Sequence, residues 1–233
     1  MVLAPGSCDR RALSPSQNAM VSVIPASQVS IALLEERYGL RETTQPDFFG
    51  EWTQGLGLLT ELEKQYLDRV KTHFKRLLKK PPLLENSVKM VVLSPLLDRA
   101  GFYDDPFHIR SEVSVDIAAE DEGQMIRGRI DVLVLKDRFW ILVLEAKRSD
   151  FDVNVAMGQA LAYMLANPES EQPTFAMISN GQSFLFLKLT KTPQPQYANS
   201  RLFSLANPGN DLYEVLKVMK RIGKMVVAEP QSD

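Results

Sequence analysis

The sequence predicts an α/β domain in which helices flank a mixed central sheet, and three observations lead there. From residue 84 onward the segments read α-β-β-β-α-β-β-α. Residues 127–135 and 139–146 are apolar and β-branched on both faces, the pattern of strands buried from both sides. Asn180-Gly181, set between two further apolar runs, is a strong hairpin signal.

Residues 1–30 are rich in Ser, Pro, Ala and Gln without a sustained period and read as a poorly ordered lead-in, within which Met20 is an alternative start. Residues 31–83 read as a helical extension. A short helix from Ile31 to Tyr38 closes at Gly39, and the patch Gln45-Pro46-Asp47 turns the chain. Phe48, Phe49 and Trp52 are expected to staple this segment to the core. A long helix opens at Thr60, with Glu63 completing a capping box, and runs to Lys80 before Pro81-Pro82. Its expected apolar stripe is Leu62, Tyr66, Val70, Phe74 and Leu77.

The next helix, 84–100, contains Ser94-Pro95, which predicts a kink or a restart capped by Ser94, and closes at Gly101. Residues 109–117 alternate as a strand with one drier face. Asp121-Glu122-Gly123 turns the chain, and Lys136-Asp137-Arg138 joins the two buried strands as a tight hairpin. Residues 155–166 read as a helix ended by Asn167-Pro168, with Val155, Met157, Leu161, Ala162 and Leu165 as its apolar members. Residues 174–179 and 183–189 pair around Asn180-Gly181. The proline-rich stretch 192–208 is expected to be a loop, and Asp211 to cap a last helix reaching about residue 227.

With 233 residues, 45% of them hydrophobic and 24% charged, the chain can bury a core without disulfides or a structural metal. The single cysteine, Cys8, excludes a disulfide framework and a cysteine-built zinc site, and favours a reducing compartment. Two histidines, His73 and His108, leave little room for a histidine-rich metal centre, and neither stands in a ligand-like setting. No apolar run approaches the roughly 20 residues that span a bilayer, and the first residues lack the apolar core of a signal peptide. A cytoplasmic protein without a membrane partner is expected.

The chemistry concentrates on the hairpin. Glu145-Ala146-Lys147 ends an otherwise apolar strand, and strand alternation points Glu145 and Lys147 to one face. With the turn centred near Asp137, Asp131 falls opposite residues 143–145. Two carboxylates side by side among Ile, Val, Leu and Trp are costly unless a cation binds them or one is protonated. A Mg²⁺ held by one or two carboxylates would relieve the repulsion, with Lys147 placed to orient or deprotonate water. The same residues also fit a simpler description, a strand-end ion pair of Asp131 or Glu145 with Lys147, Arg129 or Arg148. Gln159 and Tyr163, one turn apart on the following helix, fit either a site or a buried polar pair.

Asp131, Glu145-Ala146-Lys147 on the next strand, and a helix bearing Gln159-x-x-x-Tyr163 resemble the PD-(D/E)xK nuclease superfamily, and within it the N-terminal nuclease domain of type I restriction enzyme R subunits. Leu84-Glu85 opening a helix, Leu93-Ser94-Pro95-Leu96-Leu97 before Gly101-Phe102, and Ser179-Asn180-Gly181 resemble the same domain. The resemblance covers about residues 84–190, leaving 191–233 as a loop and C-terminal helix. It implies a restriction-endonuclease-like α-β-β-β-α-β core. It also implies Asp131, Glu145 and the Ala146 carbonyl as ligands of Mg²⁺ or Mn²⁺, with Lys147 as the catalytic lysine. Gln159 and Tyr163 would support them, with Glu85 as an additional acidic member. Ile130 stands where the motif's name has proline, a variation many members share, and the chain's Pro-Asp pair, Pro46-Asp47, lies elsewhere. No G-x-x-x-x-G-K-[ST] occurs, so neither a motor nor an ATP requirement is expected.

The resulting expectation is a metal-dependent endodeoxyribonuclease acting on DNA, alone, as a homodimer, or with a specificity-providing partner. The alternatives are a DNA- or partner-binding module that keeps the fold without turnover, and a globular protein with a structural Asp-Glu-Lys cluster. The net charge of −2 excludes indiscriminate coating of nucleic acid, but it is a sum of opposed blocks. Residues 61–80 hold seven Lys or Arg against three Asp or Glu, and residues 104–122 hold one against seven. The basic helix therefore offers Lys71, Lys75, Arg76 and Lys79, with Arg129 near the hairpin, as candidate DNA-backbone contacts, although a plain solvated face is the default reading of the helix.

Overall fold

The computed structural model of the chain describes residues 22–80, 83–118, 124–136, 139–168 and 171–228. The first 21 residues, Pro81-Pro82, the turn at Asp121-Glu122-Gly123 and the hairpin tip Asp137-Arg138 lie outside them.

Two buried layers arise because the central strands carry apolar side chains on both faces. Along β6 (Thr174–Ser179) and β7 (Ser183–Thr190), Phe175, Met177, Phe184 and Phe186 enter one core, while Ala176, Ile178, Leu185 and Leu187 enter the other. Against the first face pack α2 (Glu61–Leu77), α4 (Ser94–Ala100) and α6 (Leu212–Ala228). Against the second pack α1 (Ile31–Tyr38) and α5 (Met157–Leu165). The remaining strands are β1 (Ser22–Pro25), β2 (Arg41–Glu42), β3 (Phe107–Ala118), β4 (Gln124–Lys136), β5 (Phe139–Ala146), β8 (Gln196–Asn199) and β9 (Phe203–Ser204).

The sheet runs β1-β4-β5-β6-β7-β8-β2, with β3 on the other edge of β4 and β9 beside β7. It is mixed: β5–β6 and β1–β4 are parallel, whereas β3–β4, β4–β5 and β6–β7 are antiparallel. The predicted α/β class with a mixed sheet between helices is therefore the observed one.

Thr60 and Glu63 form the expected capping box on α2. The inward residues of that helix are Leu67, Val70 and Phe74, however, and Leu62 is 70% exposed. Each step of four residues advances about 40° past a full turn, so a stripe built on such steps drifts off the buried face. Helix 85–100 does not restart at Ser94. Between α3 (Glu85–Val88) and α4 lies a π-turn, Lys89–Leu93, in which the Ser94 N–H reaches the Lys89 carbonyl. Pro95 has no N–H to give, and the wider turn carries the helix past it.

Four further expectations are corrected. Residues 22–28, assigned by composition to the lead-in, form β1 and a 3₁₀ turn, because pairing with β4 holds them. The 192–208 stretch contains β8 and β9, held by ladders to β7 and β2. Asp211 does not cap α6; its carboxylate accepts from Ser204 N at 2.8 Å and Asn207 Nδ2 at 2.9 Å, and Asn210 receives Leu212 N instead. Before α5 the chain takes a 3₁₀ turn, Val153–Ala156, on which Val155 is 70% exposed. Phe49 and Trp52 do staple the N-terminal segment, packing on Phe175 and Phe203. Among the described residues no helix is long and apolar enough to cross a membrane.

Candidate functional site

Strand β4 is longer than its neighbours, and that sets the site. β3 lines one edge along almost its whole length, while the other edge is shared by β1 at residues 124–127 and β5 at residues 132–136. Between them, residues 128–131 have no strand partner on that edge among the described residues. The Tyr163 hydroxyl fills the role: it accepts from Arg129 N at 3.2 Å and donates to Arg129 O at 3.0 Å. Gly128 makes this possible. A Cβ there would stand 2.6 Å from the Tyr163 ring and 2.7 Å from its hydroxyl.

Asp131 lies one residue beyond the last β4–β5 pair, Val132↔Leu144, and so beside the end of β5. Its Oδ2 accepts from Ala146 N at 2.8 Å, and its Oδ1 from Lys89 Nζ at 2.5 Å. On the opposite strand the ladder passes over Glu112, which sits at φ +55, a left-handed conformation unusual for a side chain with a Cβ. Glu145 is 3% exposed; its Oε1 receives Lys147 Nζ at 2.6 Å, and its Oε2 is buried with no hydrogen-bond partner among the described residues. Lys147 Nζ also donates to Gln159 Oε1 at 2.9 Å, and Gln159 Nε2 donates to Tyr163 at 2.8 Å. A continuous chain of hydrogen bonds thus runs from Glu145 through Lys147, Gln159 and Tyr163 to the backbone of β4.

The electrostatics follow from burial. Loss of water around Glu145, reinforced by the charge of Asp131 and opposed by Lys147, raises its pKa from 4.5 to about 7. Glu85 is raised as well, first by burial and then by Asp131. Burial lifts Tyr163 to about 12, keeping the hydroxyl protonated as donor and acceptor. Two ammonium groups and three carboxylates therefore share one partly dry pocket, with one carboxylate oxygen unpartnered.

The structure brings Asp131, Glu145, Lys147, Gln159 and Tyr163 together, and Glu85 approaches through Lys89, at 3.9 Å. Lys89 is the member that sequence reasoning missed; its only signal was the spacing of four residues after Glu85 on a helix. Gly128 was missed too, since a lone glycine in a strand does not announce what it makes room for. Among the candidate DNA contacts, Lys75, Arg76 and Lys79 are exposed, whereas Lys71 is drawn to the Gly209 carbonyl. Arg129 is exposed, 3.4 Å from Glu112. Among the described residues no group of three or more His, Cys, Asp or Glu side chains is arranged as a metal cage. The buried Glu145 Oε2 beside Asp131 still fits a small divalent cation, since magnesium sites use only one or two carboxylates and complete their shell with water.

No curated protein matches the chain. Among solved structures, similarity is found to a fragment described as the HsdR subunit of a type I restriction enzyme from Vibrio vulnificus YJ016, with 22% identity and a TM-score of 0.37. That similarity covers 59% of this chain and 26% of the other, so the chain spans about a quarter of that subunit fragment. The family model of the type I restriction enzyme R protein N terminus matches residues 43–195, reaching further toward the N terminus than the 84–190 stretch read from motifs. The chain belongs to the family of type I restriction enzyme R protein N-terminal domains.

Proposed function

We propose that the chain is a metal-dependent nuclease domain that hydrolyses DNA phosphodiester bonds, built on a restriction-endonuclease-like core at residues 84–190 with residues 31–83 and 191–233 added to it. The observation that carries this reading is the unpartnered, buried Oε2 of Glu145 next to Asp131, with Lys147 held beside it. Leaving a carboxylate oxygen dry and unsatisfied costs free energy, which a cation bound between Glu145 and Asp131 would offset.

Asp131, Glu145 and the Ala146 carbonyl would hold Mg²⁺ or Mn²⁺. Bound there, the ion would supply Lewis acidity toward a phosphodiester oxygen and ease the deprotonation of water. Lys147, aimed by Gln159, donates to the attacking water and to the charge that develops on the phosphate. Gln159 and Tyr163 act as positioning residues, tying the lysine to β4. Glu85 adds negative potential and a resting place for Lys89. Lys75, Arg76, Lys79 and Arg129 are the backbone contacts of this reading, and Lys71 serves it only after leaving Gly209. Target choice would come from a partner protein or a second copy, and ATP has no role in this chain's chemistry.

The Lys89–Asp131 ion pair favours a second reading, a DNA-binding module without turnover, because it engages an oxygen the metal needs. Supercoiled and linear DNA incubated with Mg²⁺ or Mn²⁺ separates the two. Cutting that disappears in Glu145→Ala and Lys147→Ala supports the nuclease. Binding without cutting, unchanged in both variants, overturns it.

A further inference from the structure

The C-terminal helix carries a second charged surface that the carboxylate centre does not use. Lys217, Lys220, Arg221 and Lys224 stand at i, i+3, i+4 and i+7 on one face of α6. They line a groove of about 530 Å³ whose opposite wall is formed by Gly55, Gly57 and Leu58. The two walls are close. A Cβ on Gly55, at φ +66, would lie 3.1 Å from Arg221 Nε. Lys217 is paired with Glu214 at 2.8 Å and Lys220 with Glu63. Among the described residues Arg221 and Lys224 have no carboxylate partner, and Arg221 Nε is buried with no hydrogen-bond acceptor. Among the described residues, four cations against two carboxylates leave the groove positive, with Arg221 and Lys224 outside any ion pair. That arrangement calls for a fixed anion, and phosphate oxygens are the acceptors a guanidinium matches best.

Its position relative to the carboxylates can be estimated along two elements. Lys89 touches Asp131, and Ala100, on the same continuous helix, lines the groove. Eleven residues at about 1.5 Å each make roughly 16 Å. Phe107 also lines the groove and pairs with Lys136, five residues along β4 from Asp131. At about 3.3 Å per residue that path gives roughly 17 Å. Both correspond to about five base pairs at roughly 3.4 Å each.

We propose that this groove binds the phosphodiester backbone of duplex DNA about five base pairs from the scissile bond. The identity of the polymer rests on the nuclease reading; the charge and position of the groove do not. The exposed face of α2 differs, since Lys75, Arg76 and Lys79 stand in water and lose little by remaining unpartnered.

The test is anisotropy of a labelled duplex of roughly 20 base pairs, titrated in chelator between about 50 and 200 mM salt, where no cutting occurs. Lys224→Ala removes an exposed cation. Gly57→Glu places a carboxylate on the opposite wall, where the one heavy atom within 4 Å of a new Cβ is Lys224 Nζ at 3.9 Å. Circular dichroism and the melting curve check that both variants fold. Each is expected to weaken binding several-fold and to lower the slope of log affinity against log salt by about one. Wild-type affinity and slope in both variants overturn the groove, most directly if Lys75→Ala alone lowers them. Failure of the wild type to bind any duplex overturns groove and nuclease reading together. Binding that depends on Lys224, without cutting in Mg²⁺, keeps the groove and removes the enzyme.

Discussion

Removing the charge of Glu145 should make the metal-free protein more stable at neutral and alkaline pH. The folded state holds this carboxyl 3% exposed and raises its pKa from 4.5 to about 7, chiefly by burial. Between those values the folded chain binds a proton that the unfolded chain does not. Stability is therefore complete below pH 4.5 and declines as pH rises through about 7. At about 1.4 kcal/mol per pH unit, the loss across that interval is about 3 kcal/mol. Glu145→Gln keeps the shape and still offers an amide oxygen to Lys147, which retains Gln159 as a partner. Urea denaturation in chelator, run from acid to mildly alkaline pH, should show wild type and variant close together at the acid end. By pH 8 the variant should lead by about 3 kcal/mol, or roughly 6–12 °C in melting temperature. Parallel pH profiles would mean that Glu145 carries no burial penalty, and the argument for a bound cation would lose its physical basis.

Two other perturbations probe the neighbours of that group. Lys89→Met frees Asp131 Oδ1, so Mn²⁺ measured by titration calorimetry should bind about tenfold more tightly, while the metal-free protein loses roughly 1–3 kcal/mol of stability; equal affinities would show that Lys89 does not compete for the site. Gly128→Ala forces a methyl against the Tyr163 ring and should cost about 1–3 kcal/mol in a urea titration. Cleavage should fall with it, because the Gln159–Lys147 link hangs from that tyrosine, and an unaffected rate would remove Tyr163 from the positioning chain.

What could be read in the sequence was local and periodic. The two-residue spacing of Glu145 and Lys147, the antiparallel pairing of β4 with β5, and the Thr60–Glu63 box each depend on neighbours close in the chain. What could not be read depends on distant partners. β8 and β9 exist because β7 and β2 supply their hydrogen bonds, and proline-rich composition concealed them. Lys89 meets Asp131 across 42 residues of chain, from a helix to a strand, and helical periodicity encodes no such pairing. Gly128 matters because a tyrosine 35 residues later, Tyr163, needs the space. Asp211 had the residue type of a cap but a stronger demand from the loop at Ser204 and Asn207.

The central claim is that Asp131 and Glu145 form a cation site that the protein holds ready. An anomalous difference map from a crystal soaked in Mn²⁺ tests it most directly. A peak is expected roughly 2 Å from Glu145 Oε2 and from an Asp131 oxygen, with Lys89 withdrawn toward Glu85. A map without a peak there, with the Lys89–Asp131 pair intact at saturating Mn²⁺, would contradict it.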